Sequence, residues 1–228
     1  MTRLSPLSLD PGFALAFRTL QPPPEKPRSL LVLLHGVGGN EGNLAELGAQ
    51  VGNDTLVVFP RGPITMGPEA FGWFRVAFTG NGPRIDAAEA DASRRALIQF
   101  IEQLQQAHGI DAAHTTIAGF SQGGILSASV ALTAPERVAA FAVLAGRILP
   151  ELESQLADPQ ALSTLRGYIA HGRFDDKLPV DWAQRADAWL TELGVAHETK
   201  LYPAWHELNE AMRGDFVAWL AKGEFPQR

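Results

Sequence analysis

Apolar runs of strand length alternate along this chain with longer stretches in which apolar residues recur at spacings of three and four. Leu30-Leu-Val-Leu-Leu34 is apolar without a break, the pattern of a strand covered on both faces. Thr55 to Phe59, Thr115 to Ala118, Val138 to Leu144, Gly167 to Ala170 and Glu198 to Tyr202 read as further strands. Phe13 to Leu20 reads as an amphipathic strand, and the Pro-rich Gln21 to Pro27 as the loop after it rather than a polyproline ligand. Between the strands lie helical stretches: Ala87 to Ala107, Gln122 to Leu132, Val180 to Leu193 and Glu207 to Ala221. Pro179 suits the first turn of the third of these. Strand–helix alternation of this kind predicts an α/β fold, with a mostly parallel central sheet flanked by helices on both faces. No repeat, low-complexity tract or linker divides the chain, so residues 1–228 are expected to form a single domain. The stretch from Gly146 to Leu165 between two strands is too short for a large lid domain.

Composition narrows the chemistry. A hydrophobic fraction of 46% with 19% charged residues describes an ordinary globular protein. A formal net charge of −6 argues against nucleic acid as a partner, because polyanions select for clustered Lys and Arg. With no cysteine, disulfides, thiolate nucleophiles and cysteine-ligated zinc are excluded. No apolar run approaches the roughly 18 residues of a membrane span, so stable membrane insertion is not expected. The opening Met1 to Asp10 lacks the apolar core and small-residue cleavage site of a secretory signal, and a cytoplasmic protein is the expectation.

In open α/β sheets ligands bind at the carboxyl ends of the strands. Four chemically distinctive segments each directly follow an expected strand. Gly119-Phe-Ser121-Gln-Gly123 lies between a strand and a helix, the context in which a Gly-x-Ser-x-Gly turn lifts a serine hydroxyl above a sheet. The five letters alone also fit a tight turn that happens to hold a serine. An elbow serine needs a general base and an orienting acid, which in this architecture follow in the order Ser, Asp, His. His171-Gly-Arg-Phe-Asp175-Asp176 and Tyr202-Pro-Ala-Trp-His206 follow strands in that order. Among the other histidines, His108 and His114 flank the turn entering the elbow strand and His197 begins a strand, so all three are assigned to the solvated surface. His171 reads as a packing and hydrogen-bonding residue, and His206 remains as the base. Asp175 and Asp176 are adjacent, and spacing does not separate them; Asp181 looks like a first-turn helix residue. The Gly-rich Leu33-Leu-His35-Gly-Val-Gly-Gly-Asn40 lacks the lysine of a phosphate-binding loop. The hydrolase reading uses it to aim the Val37 N–H at a developing oxyanion, with the Gln122 N–H as second donor.

Taken in order, Leu34-His-Gly-Val-Gly38, Gly119-Phe-Ser-Gln-Gly-Gly124, His171-Gly-x-x-Asp175 and Tyr202-Pro-x-x-His206 resemble the carboxylesterase and acyl-protein thioesterase branch of the α/β-hydrolases. Phe59-Pro-Arg-Gly-Pro63 with Trp73-Phe74 resembles that family's segment lining the active site, so the likeness runs from about Ser29 onward. It implies the α/β-hydrolase fold, Asp175 as the acid, an oxyanion N–H from Val37, and hydrolysis of carboxylic esters or acyl thioesters without metal or organic cofactor. The partner it implies is a small-molecule ester or thioester, and many members are homodimers. Two positions depart from the family. Arg75 stands where many relatives have aspartate after Trp-Phe, and His-Gly-Leu-Gly-Asp becomes His35-Gly-Val-Gly-Gly39. Both are expected on the substrate-facing rim.

The combined reading is a two-step acyl transfer through an acyl-enzyme on Ser121, for small to medium acyl chains. Ile64, Met66, Phe71, Trp73, Phe74, Leu178 and Trp205 are the apolar candidates for lining the cleft. Two alternatives remain at this point: an amidase or peptidase on the same fold, and a non-catalytic hydrolase-fold module that only binds.

Overall fold

The computed structural model describes residues 3–79 and 82–223. In chain order the strands are β1 (Arg3–Leu4), β2 (Phe17–Gln21), β3 (Ser29–Leu34) and β4 (Thr55–Pro60), then the hairpins β5 (Ile64–Gly67) with β6 (Ala70–Gly72) and β7 (Val76–Thr79) with β8 (Gly82–Ile85), then β9 (Thr115–Phe120), β10 (Ala140–Leu144), β11 (Arg166–Gly172) and β12 (Ala196–Tyr202). The α-helices are α1 (Ala45–Gly48), α2 (Ala87–His108), α3 (Gln122–Thr133), α4 (Pro159–Leu162), α5 (Asp181–Glu192) and α6 (Glu210–Lys222). The main sheet has the order β1-β2-β4-β3-β9-β10-β11-β12. From β4 to β12 every neighbouring pair is parallel, while β1 and β2 run antiparallel at one edge.

The unbroken apolar run of β3 has a direct structural counterpart. Leu30, Val32 and Leu34 enter one core with Leu97, Phe100, Ile101 and Leu104 of α2, the body of α3, and Ala183, Ala186 and Leu190 of α5. Leu31 and Leu33 face the other way, into a second core with Leu47 of α1 and Met212, Phe216 and Trp219 of α6. A strand alternates its side chains between faces, so covering both faces demands apolar residues at every position. Helix α3 is buried from Gln122 to Leu132, as a helix apolar on all sides must be. Its hydroxyls are spent inside: Ser127 Oγ donates to the carbonyls of Ala142 (2.6 Å) and Gly124 (2.9 Å).

Two expected boundaries move. The strand expected from Phe13 starts at Phe17, because Asp10 to Gly12 make a turn closed by the Gly12 N–H on Asp10 Oδ1 (2.8 Å). Phe13 owes its place to an aromatic cluster with Phe17 (5.0 Å) and Phe100 (6.1 Å) instead. The last helix begins at Glu210, not Glu207, where Asn209 accepts the Met212 N–H (3.0 Å) as an N-cap. Pro179 lies just ahead of α5, and its carbonyl accepts the Trp182 N–H (2.9 Å). The two hairpins between β4 and α2 were not foreseen, being short and without marked alternation. The segment after β10 holds only a short 3-10 turn (Pro150–Gln155) and α4, with no lid over the sheet. Among the described residues no helix is long and apolar enough to cross a membrane.

Strand order decides where chemistry sits. The chain leaves β3 toward β4 on one side and leaves β9 toward β10 on the other, and β3 and β9 are neighbours. Their carboxyl ends therefore open a crevice between diverging connections. The Gly-rich loop after β3 and the turn holding Ser121 after β9 both lie there.

Trp219 stacks on Tyr168 of β11 (5.2 Å) and carries the Arg166 guanidinium over its face (4.1 Å). Trp219→Ala should destabilise the protein by about 3–5 kcal/mol, read as a lowered urea midpoint with unchanged m-value.

Candidate active site

Ser121 is the residue between β9 and α3, and its backbone is held at φ 53°, ψ −114°. A non-glycine residue at positive φ is strained, and it persists only where its surroundings enforce it. Here they do so through backbone contact. A Cβ on Gly123 would lie 2.2 Å from the carbonyl oxygen of Leu34 and 2.7 Å from that of His35, so only glycine lets α3 start this close to β3. The Ser121 N–H donates to the Leu144 carbonyl (2.8 Å), which fixes the turn to β10 as well.

The loop after β11 brings the carboxylate. Asp175 is buried, and its Oδ1 accepts the N–H groups of Lys177 (2.9 Å) and Leu178 (2.8 Å). Its Oδ2 meets Nδ1 of His206 at 2.7 Å, and Nε2 of His206 lies 2.9 Å from Ser121 Oγ. A carboxylate only accepts, so Nδ1 carries the proton and Nε2 is left to accept from the hydroxyl. Gly172 allows the two loops to meet: a Cβ there would lie 2.3 Å from the Ala204 carbonyl oxygen and 2.4 Å from that of Trp205. Phe120 packs on the His206 ring (5.1 Å between centroids). Asp176, the neighbour that sequence did not separate from Asp175, is exposed and pairs with Lys177 Nζ (3.2 Å).

Gln122 opens α3, so its backbone N–H has no acceptor within the helix. Its side chain is buried and engaged at both ends: Oε1 accepts the Trp73 N–H (2.7 Å) and Nε2 donates to the Phe74 carbonyl (2.7 Å). Facing it, the loop from His35 to Gly39 is braced from within. Burial pushes the His35 imidazole below its ordinary pKa and keeps it neutral. Its Nδ1 donates to the Gly36 carbonyl (2.7 Å), and its Nε2 accepts the Gly62 N–H (2.9 Å). The Trp73 indole N–H closes the set on the His35 carbonyl (2.9 Å). Beyond the loop, Glu41 takes Arg61 through both oxygens (2.6 and 2.9 Å) and Arg18 through one (3.0 Å). Burial opposes ionisation of Glu41, but the hydrogen bonds outweigh it and hold the carboxyl at about 2.

The expected cleft residues divide. Trp73 and Phe74 are 0% exposed and belong to the core beneath the site, so they do not line a cleft. The reason is the Gln122 clamp, which draws their backbone inward. Phe71 is half-buried under the Arg61 guanidinium (4.2 Å), and its backbone pairs with Gly38 and Gly39 of the Gly-rich loop (2.8 Å each). Ile64 and Leu178 are half-buried, while Met66 (39%) and Trp205 (60%) are exposed. Val37 (50%) and Phe174 (53%) join them at the surface, and Phe174 sits 6.1 Å from the Trp205 ring. Phe174 escaped the sequence reading because it stands among polar loop residues with no period to mark it.

Among the other histidines, His108 is exposed and His114 pairs with Asp111 (2.5 Å). His197 is not at the solvated surface as expected: its side chain is 10% exposed, with Nε2 on Asp187 (3.2 Å) and Nδ1 on the Val195 carbonyl (2.8 Å). His171 is fully buried and donates Nε2–H to the Leu178 carbonyl (2.7 Å). The two departures also have structural partners. Arg75 pairs with Glu89 of α2 through its side chain and its backbone N–H, and its side chain stays 70% exposed. A Cβ on Gly39 would lie 2.2 Å from Asn43 Oδ1 and 3.0 Å from the Gly36 carbonyl oxygen, so a side chain here would displace Asn43, whose Oδ1 accepts the Asn40 N–H (2.7 Å). Among the described residues no group of three or more His, Cys, Asp or Glu is placed to hold a metal ion.

A mostly parallel sheet with a serine on a strained strand-to-helix turn, met by an imidazole and a carboxylate from two later strand ends, defines an α/β-hydrolase. Residues 16–222 match the sequence profile of the Phospholipase/Carboxylesterase family, and the chain belongs to that family. It is 30% identical over 177 residues to Esterase YpfH of Escherichia coli (strain K12), covering 75% of this chain and 72% of that protein. It is 25% identical over 186 residues to Acyl-protein thioesterase 1 of Mycosarcoma maydis, covering 72% and 76%. The crystal structure of a carboxylesterase from Mesorhizobium loti superposes with a TM-score of 0.82 at 26% identity, over 95% of this chain and 98% of that one. The chain is accordingly an enzyme of the esterase and thioesterase class.

The Glu41 cluster gives a pH test. Its carboxyl is depressed from 4.5 to about 2, so its contribution is complete above about pH 4.5 and is lost as pH falls toward 2. Glu41→Gln should cost about 2 kcal/mol at pH 7. The gap in melting temperature between wild type and variant should close as the pH is lowered through that window.

Proposed function

We propose that the protein is a serine carboxylesterase with acyl-thioesterase capacity, built as one hydrolase domain over residues 1–228. Ser121 is the nucleophile, His206 the general base and Asp175 the orienting acid. The observation that carries the reading is the line of contacts from Asp175 Oδ2 to His206 Nδ1 (2.7 Å) and from His206 Nε2 to Ser121 Oγ (2.9 Å).

His206 removes the Ser121 proton as Oγ attacks the acyl carbon, and Asp175 stabilises the imidazolium that results. The carbonyl oxygen becomes an oxyanion received by the N–H groups of Val37 and Gln122. The alcohol or thiol departs with the proton from His206 and leaves an acyl-Ser121. Water, deprotonated by His206, then attacks the acyl carbon, and collapse of the second oxyanion frees the acid and restores the hydroxyl. Two features support donors at those positions: the Gln122 N–H lies in the first turn of α3, and the Gly38 and Gly39 backbone is pinned by Phe71. The partner is a small-molecule ester or thioester. An apolar rim of Val37, Met66, Phe174 and Trp205 without a lid favours small to medium acyl chains over long enclosed ones.

Ser121→Ala should keep its melting temperature near that of wild type and lose on the order of a thousandfold or more in kcat on 4-nitrophenyl esters. Labelling by an organophosphonate at any other residue contradicts the nucleophile. Asp175→Asn should disable turnover while Asp176→Asn leaves it within a few fold; the reverse result moves the acid to Asp176. Release of 4-nitrophenol from short esters without cleavage of the matching anilides separates this reading from an amidase, and absence of any burst with activated esters returns it to a binding module.

A further inference from the structure

Arg147 is a buried charge without a task in the reaction just described. It is 6% exposed, and among the described residues its guanidinium has no carboxylate within ion-pair distance and no hydrogen-bond acceptor. Other shielded cations are answered: Arg18 and Arg61 by Glu41, Arg94 by Asp91, and Arg166 by the Trp219 carbonyl (2.9 Å). Arg147 has only the Trp182 ring, 4.5 Å from its guanidinium carbon. Burial works against its charge and Glu151 favours it only from beyond contact range, yet an arginine stays cationic in a protein.

Its position is tied to the site on both sides. It follows Ala145, a non-glycine residue at φ 49°, and Gly146, at the carboxyl end of β10. A Cβ on Gly146 would lie 2.9 Å from the Ser121 carbonyl oxygen, so the turn carrying Arg147 rests on the turn carrying the nucleophile. On the other side Trp182 lies in the first turn of α5, four residues beyond Leu178, whose N–H is held by Asp175 Oδ1 (2.8 Å). Arg147 thus joins the turn of the nucleophile to the end of the loop bearing the acid. Strain of the Ala145 kind persists where the surroundings require it and clusters at ligand sites.

We infer that Arg147 is a specificity-determining residue that binds a carboxylate on the substrate, so that the preferred esters are anionic ones. The inference rests on the esterase reading and adds the charge of the substrate to it. A guanidinium stacked on an indole keeps its in-plane N–H edge free, and that edge matches a carboxylate in a paired, charge-assisted geometry. The preference runs against the net charge of −6, which by itself disfavours anions, so a measured preference for them reports a local cation.

The test compares matched pairs of substrates. One set pairs 4-nitrophenyl hemi-esters of linear dicarboxylic acids, from glutaric to suberic, with neutral monocarboxylic esters of equal chain length. The other pairs the acetyl ester of 4-hydroxybenzoate with that of its methyl ester, placing the carboxylate on the leaving side. In at least one set the charged member should lead by about tenfold or more in kcat/KM, chiefly through a lower KM. Arg147→Gln should abolish that ratio and Arg147→Lys should restore part of it. Equal or lower values for the charged members of both sets in the wild-type enzyme overturn the inference, as does a ratio that Arg147→Gln leaves unchanged. Should Arg147→Gln not fold, the wild-type ratios decide. Turnover of neutral esters without charge preference defeats only the inference about Arg147; no turnover of any ester defeats the esterase reading and this inference with it.

Discussion

At Gly123 the first turn of α3 touches the end of β3, carbonyl oxygens standing 2.2 and 2.7 Å from where a side chain would begin. That one approach bends the chain at Ser121 into a conformation that L-residues avoid, and the bend lifts the hydroxyl clear of the sheet. It also sets the elbow against the Gly-rich loop, where a Cβ on Gly36 would lie 3.3 Å from the Ser121 Cβ. The cost of the bend is met by packing: α3 is buried along its length between the sheet and α2, and β9 is hydrogen-bonded on both sides.

Around that contact, three histidines near the carboxyl ends of the strands perform different work. Burial keeps His35 and His171 neutral, so each acts as a fixed donor that ties a loop: His35 to Gly36 and Gly62, His171 to the Leu178 carbonyl. Of the three, His206 alone has both nitrogens directed at groups able to exchange or stabilise a proton. His171 Nε2 also lies 3.4 Å from Asp175 Oδ2, and keeping that ring uncharged spares the buried carboxylate a competing cation. The charged bracing lies further out, where Glu41 gathers Arg18 and Arg61 behind the Gly-rich loop.

In the proposed reading, the residues that meet the substrate differ from those that carry the chemistry. The clamp of Gln122 on the Trp73–Phe74 backbone turns those two aromatics into floor, and the exposed apolar surface passes to Val37, Met66, Phe174 and Trp205. Arg75 pairs with Glu89 of α2 at the surface, whereas Arg147 is left on the turn that supports Ser121.

The alternation of apolar runs and helical periods determined the α/β class, because a sheet covered on both faces keeps its inner strands predominantly apolar. The order of Ser121, Asp175 and His206 was legible for a related reason: each follows a strand, and parallel strands deliver their ends to one side. Adjacent aspartates, by contrast, share every sequence property, and only the turn from Gly172 to Leu178 gives Asp175 two backbone donors and leaves Asp176 in solvent. The burial of Trp73, Phe74 and His197, and the turning of Arg75 toward α2, depend on partners 49, 48, 10 and 14 residues away along the chain. Arg147 stood in an apolar stretch with no motif around it. Local pattern reports which face a residue prefers; which neighbour it meets is set by how distant segments cross, and that exists only once the chain is folded.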